Sequence, residues 1–434
     1  MLALRLTRAA HPAVHARRLA VAAAAAGTGF LLLSTLGHAL THPEATASSA
    51  LRLAWCAIPL TATVHFAMAV ARTDPATRPR PGLAAIGLGP ARLMAVSATT
   101  TALSTLLGST LALLVFLHLR GDLTGLPFDG AAADFLAAAH PLPLPAALTL
   151  LALVPLASSA AVALMLRPRD TQVAARATHR AFGGFTKRAG RETFGSYGRF
   201  GARGAAATSQ PEPADPAADS GPAPRPPAPT PTSIPSPTAL PWGAAVLAAG
   251  LAVEAYAART TPTTALLTLP AGLPTGPAAV LLGWTLTAVG LALAGPGLAH
   301  LCGRLLQTLR PGALRLLAGR GLMEESSRIG RPLGVLCAVL SGAYTMASLN
   351  GDRPSGPLST LGALLVTGCA LGTLLTAAVE SRQSRADTTA ALIRLGAPAT
   401  TLRTAAALRA TALLLVFTPL TLAVAQLATL PLTT

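Results

Sequence analysis

The chain has 434 residues, of which 52% are hydrophobic and only 11% charged, against roughly 25% charged in a soluble globular protein. With a mean hydropathy of +0.55, this composition excludes a soluble enzyme, a secreted disulfide scaffold and a disordered chain. The 33 basic and 16 acidic residues leave a net charge of +17, and Lys187 is the single lysine. That bias is weak evidence for a nucleic-acid partner, because excess base in a polytopic membrane protein normally sits in cytoplasmic loops.

Nine apolar runs approach the length of about 20 residues that crosses a bilayer core. They cover residues 19–40, 51–71, 93–117, 143–166, 240–258, 278–303, 333–349, 358–379 and 404–429. The runs are continuous, not alternating, and too long for the strands of a membrane barrel. The expected fold class is an all-α integral membrane protein of about nine transmembrane helices, arranged four, two and three. The first run follows Arg17 and Arg18 like a signal peptide, but TGFLLLSTLGHAL has no convincing cleavage site, and it reads as a retained span. With the N-terminus in the cytoplasm, 28 basic residues fall in inner segments and 4 (Arg52, Arg120, Arg259 and Arg353) in outer ones. That asymmetry sets the expected orientation.

Residues 167–239 interrupt the spans. Their first part mixes arginine with Phe182, Phe185, Phe194, Tyr197 and Phe200, a pattern that suits anionic lipid headgroups beside a span better than stacked RNA bases. Their second part, rich in Pro, Ala, Ser and Thr, reads as a flexible linker.

Two inner segments look alike. One runs from Arg72 to Leu103, the other from Glu380 to Leu413. Placing Leu88-Gly89 on Leu395-Gly396 also places Ile86 on Ile393. In the second copy, Asp387 and Arg394 flank Ala391, Leu392 and Leu395, which predicts a short helix with one polar and one apolar face. Gly89 and Gly396 can take the left-handed conformation that ends a helix, and Pro90 and Pro398 prevent its simple continuation. Each copy is predicted to be an elbow between two spans.

On these motifs the chain resembles the FtsX-like permease family, the membrane subunits of lipoprotein- and macrolide-export ABC transporters. The copy AALIRLGA at Ala390–Ala397 closely matches the family pattern A-x-L-R-x-L-G-A, with its arginine one place later, at Arg394. The copy LAAIGLGP at Leu83–Pro90 is degenerate, with Gly87 at the arginine position. The arginine-rich stretch from Leu305 to Val339 resembles the entry to the second half in actinobacterial members. The resemblance implies two parallel repeats, residues 1–166 and 304–434, joined by the linker 167–239 and a hairpin at 240–303. The duplicated family has four spans in its second repeat and a large extracellular domain after its first span. This chain has three spans there, and only residues 41–50 at the domain's place. The resemblance further implies a separate ABC ATPase subunit as partner, coupled through Ile86, Leu88, Gly89, Asp387, Leu392, Arg394, Leu395 and Gly396, with export or extraction of a substrate at the outer side of the cell membrane.

No GxxxxGK motif followed by Ser or Thr occurs, so ATP binding through a P-loop is not expected in this chain. No catalytic site, cofactor or metal is expected. Cys56, Cys302, Cys337 and Cys369 lack metal or redox spacing and read as small buried hydrophobes. Glu254, near the outer end of its run, is a carboxylate expected to face headgroups and water, with a role in substrate or ion handling as the alternative. His38, His42 and Glu44 cluster without a metal motif. His65 and His300 read as hydrogen-bonded core histidines. Glu324 and Glu325 read as part of a solvated, ion-paired helix, with a second ATPase contact as the alternative. Three other readings compete: a secondary transporter, disfavoured by scarce mid-membrane charge; a membrane-embedded enzyme; and a regulatory relative that binds a partner without moving a substrate.

Overall fold

A backbone in lipid must satisfy its own N–H and C=O groups, and a helix does this within one segment. The computed structural model describes residues 12–74, 90–123, 129–133, 135–167, 239–260, 267–268, 274–275, 278–308, 312–350, 356–396 and 398–433. Their order is α1 (Pro12–Thr41), α2 (Thr46–Trp55), α3 (Ala57–Thr73), α4 (Pro90–Arg120), α5 (Leu144–Met165), α6 (Ala239–Thr260), β1 (Leu267–Thr268), β2 (Pro274–Thr275), α7 (Ala278–Thr308), α8 (Ala313–Asn350), α9 (Pro357–Ser384), α10 (Ala386–Arg394) and α11 (Ala399–Thr433). Among the described residues, nine spans are long and apolar enough to cross a membrane, with α2 and α3 together making one from Thr46 to Thr73. The molecule is a multi-pass helical membrane protein. Its only described strands are the antiparallel two-residue pair β1–β2.

Hydroxyls inside these helices donate to carbonyls three or four residues back. Thr105 bonds Thr101 O at 2.9 Å, and Ser159 bonds Pro155 O at 2.6 Å. This removes much of the cost of placing Ser and Thr in lipid.

The first four spans pack together, with α1 against α3, α4 and α5. Leu33 of α1, Ala112 and Phe116 of α4, and Ala147 and Leu151 of α5 form one buried cluster with Leu136 of the following loop. Helix α9 joins this bundle from the far end of the sequence. Its Cys369 is buried with Val21, Phe66, Ala67 and Val70, and its Leu358 and Leu361 pack against Ala25, Leu31, Cys56 and Val154. A polar contact crosses the same place: Thr28 and Thr63 share a buried hydrogen bond of 2.9 Å.

The remaining spans form a second group, in which α7 lies between α6 and α8, and α8 also packs on α9 and α11. Helices in lipid gain little from hydrophobic burial against each other and associate through close packing of small residues. Gly250 and Gly283 bring α6 onto α7, and Gly295 and Gly330 bring α7 onto α8. A Cβ on Gly330 would lie 2.5 Å from Pro296 Cα.

Two expectations change. The eighth helix begins at Ala313, not near residue 333, and is 38 residues long. Most of the arginine-rich stretch 304–331 is therefore helical, continuing α7 or opening α8. Helix propensity of Leu, Ala, Arg and Met carries the backbone past the apolar limit. The second span is also broken at Cys56, where a short helix with one polar face precedes the apolar one.

Candidate functional site

The second predicted elbow is present. Helix α9 ends at Ser384, Arg385 serves both as its C-cap and as the N-cap of α10, and α10 runs to Arg394. Leu395 N–H bonds Ala391 O at 3.1 Å, and Gly396 N–H bonds Ile393 O at 3.0 Å. Gly396 has φ +88, the left-handed conformation that only glycine adopts without strain. Pro398 then leads into α11. Asp387 lies in the first turn of α10. Leu392 is half-buried, whereas Ile393 is 53% and Leu395 84% exposed. Arg394 and Gly396 are exposed as well. The apolar face of α10 thus meets little of its own chain. The first predicted elbow, with Ile86, Leu88 and Gly89, lies outside the described residues, as do residues 168–238.

Behind the visible elbow sits an ionic network that the sequence reading missed. Glu325 of α8 is buried, at 7% exposure, which overturns its assignment to a solvated face; Glu324 beside it is exposed. The Glu325 carboxylate pairs with Arg385 at the root of the elbow and accepts a hydrogen bond from Ser381 of α9 at 2.5 Å. Arg409 of α11 stands 3.9 Å from its other oxygen. Arg385 also donates to Gly321 O at 3.0 Å. Three spanning helices, α8, α9 and α11, therefore meet on one carboxylate where the elbow begins. A buried carboxylate is tolerated because the paired arginines and the serine replace its water.

The first four spans carry a related contact. Arg18 of α1 pairs with Asp74, the C-cap of α3, at 2.5 Å. Arg17 donates to Thr73 Oγ1 at 3.2 Å. This pair borders a small cleft lined on the α4 side by Ser97, Thr100, Thr101 and Ser104. The two contacts share a register: Arg18 and Asp74 are 56 residues apart, as are Glu325 and Ser381. Positions 18 and 325, 74 and 381, and 88 and 395 are each 307 residues apart. That common offset was the signal available in the sequence, and it becomes visible only once the elbows are extended backwards to their preceding helices.

Other residues singled out earlier are scattered. Glu254 is 1% exposed, not facing headgroups; Thr287 Oγ1 of α7 donates to its Oε1 at 3.0 Å. Small Gly250 and Gly283 leave room for it between α6 and α7. His38 and His42 stack with centroids 4.3 Å apart, and no group of three metal-ligating side chains occurs among the described residues. His300 is buried, but His65 is exposed on the bundle surface and is not a core histidine. All four cysteines are buried and free. No family profile, curated protein or solved structure matches the chain.

Proposed function

We propose that this chain is the membrane-spanning subunit of an ABC-type transporter in the cell membrane, built from two FtsX-like repeats. It takes its motion from a separate ATPase and delivers it to the outer side, for export or extraction of a substrate. The observation that carries the reading is the elbow Ala386–Arg394. It is a nine-residue helix between two long spans, closed by left-handed Gly396, with apolar Ile393 and Leu395 exposed to a partner. An exposed apolar tip on a helix rooted in three spans is suited to receive a push and carry it along rigid elements. Glu325 and its arginines tie the root of α10 to α8 and α11, so displacement of the elbow loads all three. The packing pattern supports the duplication: α1 meets α3 and α4 as α8 meets α9 and α11. On this reading the arginine-rich ends of these helices are cytoplasmic and hydrolysis belongs to the partner chain, consistent with a sequence that carries no P-loop motif.

The test is co-purification of the tagged protein with the ATPase. Leu395→Asp and Arg394→Glu should abolish capture while leaving the protein folded, since both side chains are exposed. Undiminished capture after deletion of residues 73–91 and 381–402 would overturn the reading.

Buried Glu254, bonded to Thr287 between α6 and α7, favours a second reading, an ion-coupled secondary transporter. Intramembrane carboxylates commonly mark ion pathways. Uptake driven by a proton gradient in vesicles without ATP, abolished by Glu254→Gln, would establish it over the first.

A further inference from the structure

Between α1, α3 and α4, beside Arg17, Arg18 and Asp74, the packing leaves a small cleft. Ser97, Thr100, Thr101 and Ser104 of α4 line one wall, a spacing that puts their hydroxyls on one face of the helix. Thr100 and Thr101 both donate to Ser97 O at 2.9 Å, and Ser104 donates to Thr100 O at 3.0 Å. With their protons engaged on α4 itself, these three oxygens present only lone pairs to the cleft. Val21, Ala67, Val70 and Ala71 also line it and carry no side-chain donor, and the lining cation Arg18 is paired with Asp74. The result is an array of acceptors opposite apolar side chains. It is not a requirement of the elbow architecture. At the 307-residue offset, α11 has Ala407 and Leu408 in place of Thr100 and Thr101.

The cleft also lies at a defined depth. Arg17 and Arg18 immediately precede the first apolar run, Thr73 and Asp74 follow the second, and Ser97 to Ser104 open the third. All three positions mark the boundary between hydrocarbon and headgroups, where pockets between spans bind lipid heads. Arg17 borders the same cleft and gives one N–H to Thr73 Oγ1. A guanidinium has further donors, suited to a phosphate.

We propose that this cleft holds the headgroup of an aminophospholipid, its primary ammonium on Thr100, Thr101 and Ser104 and its phosphate on Arg17. An ammonium carries only donors and meets oxygens that can only accept. A trimethylammonium head has no N–H to give. An anionic head without an amine would bring a second negative charge beside Asp74. The apolar wall suits the glycerol and first acyl carbons. The proposal goes beyond the transport reading and holds whether or not an ATPase docks on α10.

The experiment is native mass spectrometry of the full-length protein in detergent. Phosphatidylethanolamine, phosphatidylcholine and phosphatidylglycerol are added one at a time at equal concentration. The native protein should retain phosphatidylethanolamine about tenfold better than either of the others, the scale of one charge-assisted hydrogen bond. Thr101→Val with Ser104→Val removes two acceptors and should bring the three lipids within about twofold of one another. Arg17→Gln should weaken all three together and leave their order unchanged, because each carries the phosphate. Both variants should unfold at the native temperature in lipid-free detergent, which separates lost binding from lost fold. Free phosphoethanolamine at the lipid's concentration should leave the bound lipid in place, since it lacks the part that meets the apolar wall. Equal retention of phosphatidylethanolamine and phosphatidylcholine by the native protein would overturn the proposal. So would an undiminished preference in the folded double variant, or displacement of the lipid by phosphoethanolamine.

Discussion

Glu325 shows what one side chain can organise in a membrane helix. Removing a partner from a buried pair is costlier than the pair is stabilising, because an uncompensated charge remains. Arg385→Ala should therefore destabilise the protein by about 2 kcal/mol, below the 3–5 kcal/mol of a fully buried pair because Arg385 is partly exposed. Glu325→Gln should cost less, since the amide keeps a hydrogen bond to Ser381 and strands no carboxylate. Thermal unfolding in one detergent should rank the native protein above Glu325→Gln, and Glu325→Gln above Arg385→Ala. The acidic pair at 324 and 325 was visible in the sequence, but its burial was not. Helical phase places Glu325 inward and Glu324 outward, and phase could be read only with α8 extended back to Ala313. Glu254 was misjudged for a related reason: its depth along α6 was legible, whereas the neighbour supplied by Thr287 is a tertiary fact.

At the scale of the element, the elbow was legible almost entirely. A glycine after a short amphipathic run, followed by proline two positions on, is a local signal, and local conformation obeys it. Gly396→Ala forces a Cβ into the left-handed region and should cost about 1 kcal/mol. Hydrogen exchange should show faster opening of Ala386–Arg394 in that variant, with α8 unchanged. The helix contacts were less legible, because glycines in an apolar run announce close packing without naming the partner. Gly330 is a direct case: the nearest atoms to a Cβ there belong to Pro296 and Gly295 backbone, which cannot swing aside. Gly330→Leu should separate α7 from α8 and cost more than about 2 kcal/mol, whereas Gly342→Leu on the same helix, with nothing within 4 Å, should be nearly neutral. Comparing their unfolding temperatures checks both.

For the molecule as a whole, hydropathy located the nine candidate spans found among the described residues, and missed their true ends and the break of the second at Cys56. Charged residues carried helices beyond the apolar limit, and no window of hydropathy can see that. The orientation expected from the arginine asymmetry is open to a direct test. A reporter active only in the cytoplasm should work when fused at residue 205. One active only on the outer side should work at residue 434. Activity of both reporters on the same side would reduce the spans after residue 205 to an even number.

The lodging of α9 against α1, α3 and α5 has a mechanical corollary. Cys369, Leu358 and Leu361 sit in clusters whose other members come from the opposite side of residues 168–238. A single proteolytic cut engineered into that segment should give two fragments that still migrate as one particle through gel filtration in mild detergent. Like two hands with laced fingers, the halves would stay joined after the string between the wrists is severed, so a nicked protein should keep its unfolding temperature.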